Sequence, residues 1–348
     1  MEFSIDGRPV GDGHPVYVIA EVSANHGGRF ETAKEMIRAA RDAGADAVKL
    51  QTYTADTMTL DSDAAPFVIR QGTIWDGRTL HDLYEEAFTP WEWQPELKKW
   101  AGELGISLFS TPFDATAVDF LEQMGVGAYK IASFEITDLP LIETTAARGR
   151  PMILSTGIAE EADIREALAA CHRAGNRQVA LLKCTSSYPA PLDEMNLRMI
   201  PDLAQRFGVI AGLSDHSMGL ETPVAAVALG ARIIEKHFIL ERSMGGPDAA
   251  FSLEMDEFAR MVEAVRNTEQ LLGTVNYTLS EKARRAREFS RSLFVAADMA
   301  AGETFTRQNL RSVRPGFGLP PKHLPEILGR AAARDLPRGT PLSWDDVH

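Results

Sequence analysis

The chain has 348 residues, 45% of them hydrophobic and 24% charged, which indicates a globular protein with a large core. Its net charge of −13 argues against a general role in binding nucleic acid or a membrane surface. No apolar run reaches the roughly 18 residues of a membrane span, and the N-terminus does not resemble a signal peptide. The two cysteines, Cys171 and Cys184, predict free thiols and a cytoplasmic protein.

Short apolar runs alternate with segments of helical periodicity over most of the chain. The runs that we predict to be strands are 16–20, 46–51, 106–110, 128–132, 152–154, 179–184, 209–213 and 233–236. Eight strand–helix units in roughly 265 residues match the size of a (β/α)₈ TIM barrel, which we predict for residues 1–272. A doubly wound open sheet fits less well, because no Gly-x-Gly-x-x-Gly turn follows the first strand.

One connection in this alternation is too long for a simple turn. After Gln51 the next predicted strand begins only at Ile106, and the part from Tyr53 to Pro90 has no firm pattern before Leu83. Long loops in compact domains are usually functional or disordered. On the top of a barrel this segment would form a lid or wall over the site.

The pattern changes after Leu272. We predict a charged linker at 273–289 and a small β-rich domain at 290–348. Residues 301–310 and 338–347 echo each other, which suggests a pseudo-duplicated fold. Thr306 aligns with Ser343 and Asn309 with Asp346, and the two hydroxyl residues are predicted N-caps of short helical turns.

The predicted barrel strands all end in functional groups, and the carboxyl ends of barrel strands face the active site. These residues are Glu21, Lys49, Gln51, Thr111, Lys130, Ser133, Ser155, Ser186, Tyr188, Ser214, His216 and His237. Polar residues reappear at strand ends for structural reasons alone, and this accounts well for Ser and Thr. It accounts less well for two lysines, because Lys is seldom placed in an apolar strand without a partner.

The composition of this ring indicates its chemistry. Two lysines, several hydroxyls and the backbone amides near Gly157 would form a pocket for phosphate and carboxylate groups. His216 and His237 follow neighbouring strands and can share a divalent cation, although each could instead cap a helix or pack in the core. Glu21 is a candidate general base. A rival interpretation makes Lys130 a Schiff-base nucleophile, as in barrel aldolases.

Seven strings, in order along the chain, resemble the sialic acid synthase family. They are 20–26 (AEVSANH), 48–52 (VKLQT), 109–113 (FSTPF), 129–133 (YKIAS), 153–157 (ILSTG), 212–216 (GLSDH) and 235–238 (EKHF). The tail, with VRPG at 313–316, resembles the C-terminal antifreeze-like (SAF, β-clip) domain of that family. The resemblance implies a (β/α)₈ barrel that condenses phosphoenolpyruvate with the open-chain aldehyde of an N-acetylated amino sugar.

The resemblance also implies a role for each matching residue. Phosphoenolpyruvate would be held by Lys49, Thr111, Lys130, Ser133, Ser155, Ser186 and Ser214. His216 and His237 would bind a divalent metal, Mn²⁺ or Mg²⁺ with Co²⁺ possible, and would be catalytic together with Glu21. The sugar would contact Gln51, Tyr188, Asp248 and Arg314, the last from the partner chain of a domain-swapped homodimer. The chain departs from the family at Ser186, where sialic acid synthases proper commonly have Asn.

Three further strings, 89–93, 130–138 and 245–254, resemble the pseudaminic acid synthase branch of this family. That branch takes 2,4-diacetamido-2,4,6-trideoxy-L-altrose. The alternatives are an N-acetylneuraminate or legionaminate synthase, which uses another N-acetylated hexosamine in the same half-reaction. We expect segments 53–90 and 245–254 to determine the choice of sugar. A non-catalytic sugar-binding scaffold is less consistent with a ring of lysines and histidines.

Overall fold

A computed structural model describes residues 1–70, 72 and 75–348. The chain divides into two compact units, Met1–Gly273 and Thr274–His348. The proposed linker bounds of 273–289 and the start of the small domain at 290 stay predictions.

The first unit opens with a hairpin that is not among the predicted elements. Strands β1 (Glu2–Ile5) and β2 (Arg8–Gly11) pair antiparallel across Asp6 and Gly7, which both have positive φ. A two-residue hairpin turn of this kind favours Asp-Gly because both central residues adopt positive φ. The buried side chains Phe3, Ile5 and Val10 join a core cluster with inward-facing residues of the barrel strands.

Eight parallel strands close into a barrel, which confirms the prediction and rules out an open doubly wound sheet. The strands are β3 (Tyr17–Glu21), β4 (Ala47–Thr52), β5 (Ser107–Pro112), β6 (Tyr129–Ile131), β7 (Met152–Ser155), β8 (Val179–Cys184), β9 (Ile210–Asp215) and β10 (Ile233–His237). Each strand pairs with its neighbours in chain order, and β10 pairs with both β9 and β3. All the carboxyl ends therefore meet at one rim.

The helices of the first unit are α1 (Phe30–Asp42), α2 (Ala55–Met58), α3 (Leu80–Ala87), α4 (Gln94–Leu104), α5 (Ala115–Met124), α6 (Leu139–Ala146), α7 (Glu161–Arg173), α8 (Met199–Phe207), α9 (Glu221–Ala228) and α10 (Met255–Leu272). The helices that follow the strands cover the outside of the barrel, whereas α2 and α3 belong to the long connection after β4. The face of α1 with Ala33, Met36, Ile37 and Ala40 is buried against the strands, as its spacing predicts. Within the described ranges, no helix has the length and apolar character needed to cross a membrane.

The long connection after β4 contains α2 and α3, and the described residues between them include a 3-10 turn at Ala65–Phe67. Val68 pairs with Thr79, and the backbone N–H groups of Ile69 and Gly77 donate to the carbonyls of Arg78 and Ile69. Thr54 and Thr79 cap α2 and α3 with their hydroxyls. Positions 71, 73 and 74 of this predicted lid lie outside the described residues.

The second unit contains α11 (Glu281–Ala286), β11 (Ser292–Val295), β12 (Leu310–Val313) and α12 (Leu324–Ile327). The two similar segments, 301–310 and 338–347, form the same local hydrogen bond. The backbone N–H of Thr306 donates to Asn309 Oδ1 at 2.7 Å, and that of Ser343 donates to Asp346 Oδ2 at 2.8 Å. Both hydroxyls act as N-caps, which confirms the prediction for these two residues.

Candidate functional site

Lys49 lies at the centre of the rim, fully buried on β4. Its ammonium forms an ion pair with Glu21 of β3 and lies 3.7 Å from Glu235 Oε1 of β10. It also donates to Thr111 Oγ1 at 3.2 Å. Ser214 completes the group, since its hydroxyl donates to Glu235 Oε1 at 3.1 Å. Five adjacent strands, β9, β10, β3, β4 and β5, thus contribute to one buried network of charged and hydroxyl groups.

Lys130 forms a second cationic centre beside the first. Its Nζ donates to Ser155 Oγ at 2.6 Å and to the carbonyl of Ile131 at 2.8 Å. Beyond it, the backbone N–H of Gly157 donates to Ser133 Oγ at 3.1 Å. A Cβ at Gly157 would clash with the hydroxyls of both Ser133 and Ser186. The absence of a side chain at Gly157 therefore keeps open a small cradle of hydroxyl and amide groups, which suits an anion.

Burial controls the charges of these residues. It raises the pKa of Glu21 to about 7, with Lys49 opposing the change and Glu235 adding to it. Burial alone would lower the pKa of Lys49, but Glu21 and Glu235 outweigh it and raise that pKa. Burial lowers the pKa of Lys130. Lys49 is thus held by two protein carboxylates, whereas Lys130 is held by a hydroxyl and a carbonyl oxygen. An incoming anion would compete with these partners for both cations.

His216 and His237 lie side by side at the ends of β9 and β10, with ring centroids 5.2 Å apart. Nδ1 of His216 is 3.1 Å from the carbonyl oxygen of Thr185 and must donate to it, so Nε2 carries a free lone pair when the imidazole is neutral. Nδ1 of His237 is buried and has no hydrogen-bond partner among the described residues. Burial lowers the pKa of His237 well below its usual range, so its imidazole is neutral.

This arrangement fits two ligands of a divalent cation. At metal sites, a ligating histidine commonly donates its other ring N–H to a carbonyl or carboxylate oxygen, which fixes the orientation of the ring. The contact between His216 and the carbonyl of Thr185 is of this kind. Asp248 Oδ2 lies 4.0 Å from His237 Nδ1. In the part of the chain that the structure describes, no cluster of three or more His, Cys, Asp or Glu side chains could hold a metal by itself. Two imidazole ligands would leave other coordination positions for water or substrate.

A cavity of about 410 Å³ opens above these groups. Gln51, Tyr188 and Asp248, the three barrel residues predicted to contact the sugar, all line it, together with Ser186 and His237. The ring of Tyr188 packs against those of His216 and Trp75, at centroid distances of 4.6 and 5.8 Å. Arg314 lies in the second unit on an exposed stretch, and its role stays a prediction.

Three residues of this site, Glu235, Glu135 and Ser23, have no role predicted from the sequence. Glu235 contacts both Lys49 and Ser214. It lies two positions before His237 on the same strand, and this spacing places both side chains on the same face, which would have predicted Glu235 as a site residue. Glu135 lines the cavity, and burial raises its pKa to about 7. Ser23 has a positive φ of 46° and hydrogen-bonds to Asp248. No local pattern marked Glu135.

Comparisons with known proteins agree with this geometry. Residues 36–277 match the NeuB family and residues 290–348 match the SAF domain. The chain is 47% identical to the pseudaminic acid synthase of Campylobacter jejuni, over 95% of this chain and 96% of that protein. It is 46% identical to the pseudaminic acid synthase of Helicobacter pylori, over 96% and 98% of the two chains.

Among solved structures, the N-acetylneuraminic acid (sialic acid) synthetase of Leptospira borgpetersenii, in complex with citrate, has a TM-score of 0.74. It is 31% identical to this chain and covers 83% of it, and the chain covers 96% of that structure. The motif resemblance is thus confirmed by matches that run through both units. The chain belongs to the NeuB family and carries a SAF domain at its C-terminal end.

Proposed function

We propose that the chain condenses phosphoenolpyruvate with 2,4-diacetamido-2,4,6-trideoxy-L-altrose and water to give pseudaminic acid and phosphate. The observation that carries this proposal is the 47% identity to the pseudaminic acid synthase of Campylobacter jejuni over 95% of the chain. Identity to the sialic acid synthetase structure is lower, at 31%. An N-acetylneuraminate or legionaminate synthase is the alternative within the same family.

The rim supplies groups suited to phosphoenolpyruvate. We assign Lys49 and Lys130 to its phosphate and carboxylate charges, with hydroxyl support from Thr111, Ser133, Ser155, Ser186 and Ser214. Both lysines are buried, so their attraction for an anion is little screened by water. In the reaction, one C–C bond forms between the methylene carbon of phosphoenolpyruvate and the aldehyde carbon, water adds, and phosphate leaves.

We assign His216 and His237 as ligands of a divalent cation, Mn²⁺ or Mg²⁺ with Co²⁺ possible. Such an ion, when bound, would polarise the aldehyde oxygen as a Lewis acid. Glu21 accepts or releases a proton beside Lys49, and its pKa of about 7 suits that task near neutral pH. Gln51, Tyr188 and Asp248 hold the sugar from the wall of the cavity.

Two further parts of the proposal concern the assembly and the compartment. We propose a domain-swapped homodimer in which Arg314 reaches the acyl group of a sugar bound in the partner's barrel. The guanidinium donates a fixed fork of hydrogen bonds, which suits an acetamido carbonyl. We also propose that the protein acts in the cytoplasm, where its free thiols, Cys171 and Cys184, would stay reduced.

The test is phosphate release with phosphoenolpyruvate and a panel of amino sugars. The proposal predicts release with 2,4-diacetamido-2,4,6-trideoxy-L-altrose and formation of pseudaminic acid, identified by mass and NMR. The matched control is Lys130→Met, which should stay folded and release no phosphate with any sugar. Release with N-acetylmannosamine alone would contradict the assignment in favour of a neuraminate synthase. No release with any sugar would favour a non-catalytic sugar-binding protein.

A further inference from the structure

The cavity above the rim is lined by polar and apolar residues. The barrel side presents the polar groups of Gln51, Glu135, Tyr188 and Asp248, and also the rings of Phe113, Phe134 and Phe251. The connection between β4 and α4 contributes an apolar wall of Met58, Val68, Ile69, Leu80 and Leu83, and beside it the rings of Tyr53, Trp75 and Tyr84.

Backbone hydrogen bonds fix the part of the apolar wall that contains Val68 and Ile69. Val68 forms a β-bridge with Thr79, and the N–H of Ile69 donates to the carbonyl of Arg78 at 2.9 Å. The two side chains are only half-buried, although both line the cavity. Half-exposed branched apolar residues at the edge of a cavity provide a surface that an apolar group can cover.

The position of this wall decides which part of an acceptor sugar meets it. The aldehyde carbon has to reach the residues at the strand ends, next to His216 and His237. The opposite end of the open-chain sugar would then lie farther from the strand ends, within the same cavity that Val68 and Ile69 line.

We propose that Val68 and Ile69 form a subsite for the C6 methyl group of a 6-deoxy sugar and exclude a C6 hydroxyl. This inference rests on the proposed function and deepens it by naming the residues that recognise the deoxy end. A C6 hydroxyl placed against the side chains of Val68 and Ile69 would lose its hydrogen bonds to water, and these two side chains offer it no partner. A methyl group in the same place is removed from water with no such loss.

The subsite discriminates by the group at C6 and not by ring stereochemistry. Any 2,4-diacetamido-2,4,6-trideoxyhexose that reaches the rim presents the same methyl group. A sugar with a primary hydroxyl, such as N-acetylmannosamine, is disfavoured whatever its configuration. An apolar pocket rejects an added hydroxyl by a factor on the order of 10² at most, so we expect a preference of about 10- to 100-fold.

The experiment compares kcat/KM for 2,4-diacetamido-2,4,6-trideoxy-L-altrose and its 6-hydroxy counterpart. It uses the whole chain and the variants Val68→Thr and Ile69→Thr. Val→Thr keeps the shape of the side chain and adds a hydroxyl. The matched control is Val224→Thr on α9, a half-buried valine outside the cavity. The variants should lower the preference for the deoxy sugar about tenfold, and the control should keep the wild-type ratio.

A second measurement does not depend on turnover. With methyl-labelled protein, intermolecular NOEs should connect the C6 methyl group of the bound sugar to the methyl groups of Val68 and Ile69. Equal kcat/KM for the two sugars in the wild type, unchanged ratios in both variants, or bound sugar without these NOEs would overturn the subsite and leave the proposed function standing. A wild type that releases no phosphate with any sugar overturns both.

Discussion

Nζ of Lys236 lies 2.6 Å from Oδ2 of Asp215, and neither side chain is exposed to solvent. Asp215 directly precedes His216 and Lys236 directly precedes His237. Lys236 also donates to the carbonyl of Ser217, which follows His216. This buried ion pair joins the carboxyl ends of β9 and β10 behind the two imidazoles. It therefore helps to set the distance between them.

Lys236→Met should destabilise the first unit strongly, because it leaves the Asp215 carboxylate buried without its partner. Loss of one member of a buried pair typically costs about 3–5 kcal/mol, to be measured by urea unfolding. The control is Arg206→Met, which breaks a surface pair with Asp202 and should change stability little. A Lys236→Met protein as stable as the wild type would show that the pair does not hold these strand ends together.

His237→Ala should lose metal binding while staying folded, because its Nδ1 is buried without a protein partner. Mn²⁺ binding by electron paramagnetic resonance and the fold by circular dichroism are the readouts. His172→Ala, on the exposed face of α7, is the control and should bind as the wild type does. The chelated wild type should lose activity and regain it with Mn²⁺, Co²⁺ or Mg²⁺.

Full activity in excess chelator would contradict the role of the two histidines. It would favour the alternative in which Lys130 forms a Schiff base. Borohydride with a keto substrate would then trap a covalent adduct on Lys130, whereas the proposed condensation gives none.

Glu135→Gln should stabilise the protein at high pH and not at low pH. Burial raises the pKa of Glu135 from 4.5 to about 7, although Lys130 opposes it. Between these two pH values the folded protein keeps a proton that the unfolded chain releases, so this residue makes the protein less stable as pH rises. At pH 8 the variant should gain up to about 3 kcal/mol in free energy of unfolding.

At pH 4 the same substitution should be nearly neutral, because both states then bind the proton. Urea unfolding at the two pH values is the measurement. Glu143→Gln, at a surface contact with Arg173, serves as the control and should show no comparable dependence. A gain for Glu135→Gln that is equal at both pH values would mean that desolvation of its charge is not the cause.

Mixing two inactive variants should restore activity if Arg314 completes the partner's site. Arg314→Ala and His237→Ala are each expected to be nearly inactive. After subunit exchange, each heterodimer holds two different sites. One site combines a wild-type barrel with a wild-type Arg314 from the partner and should be active. The other site carries both substitutions and stays inactive. If mass spectrometry shows exchange and activity does not return, Arg314 acts on its own barrel or has no role.

The barrel could be predicted because its signals are local. Each strand is a short apolar run, and each helix carries an apolar face at its own periodicity. The same holds for Thr306 and Ser343, whose capping roles depend on residues only three positions away. The N-terminal hairpin also carries a local signal, the Asp6-Gly7 turn.

The electrostatics of the site could not be predicted in this way. The raised pKa of Glu135 depends on its depth in the protein and on Lys130, which belongs to the preceding strand. The apolar wall likewise depends on where the connection after β4 lies over the barrel. A sequence shows that Val68 and Ile69 are apolar, but not that they line a cavity with Asp248.

The position of Lys49 on β4 has a kinetic consequence. Gln51 lies on the same face, two residues nearer the carboxyl end of the strand, and lines the cavity, whereas Lys49 is buried. A sugar that fills the cavity therefore covers the way from solvent to Lys49. On the proposed assignment, phosphoenolpyruvate has to enter an empty cavity and the sugar follows. The acceptor sugar should then inhibit at high concentration, in competition with phosphoenolpyruvate, and steady-state rates at varied concentrations of both substrates would reveal it.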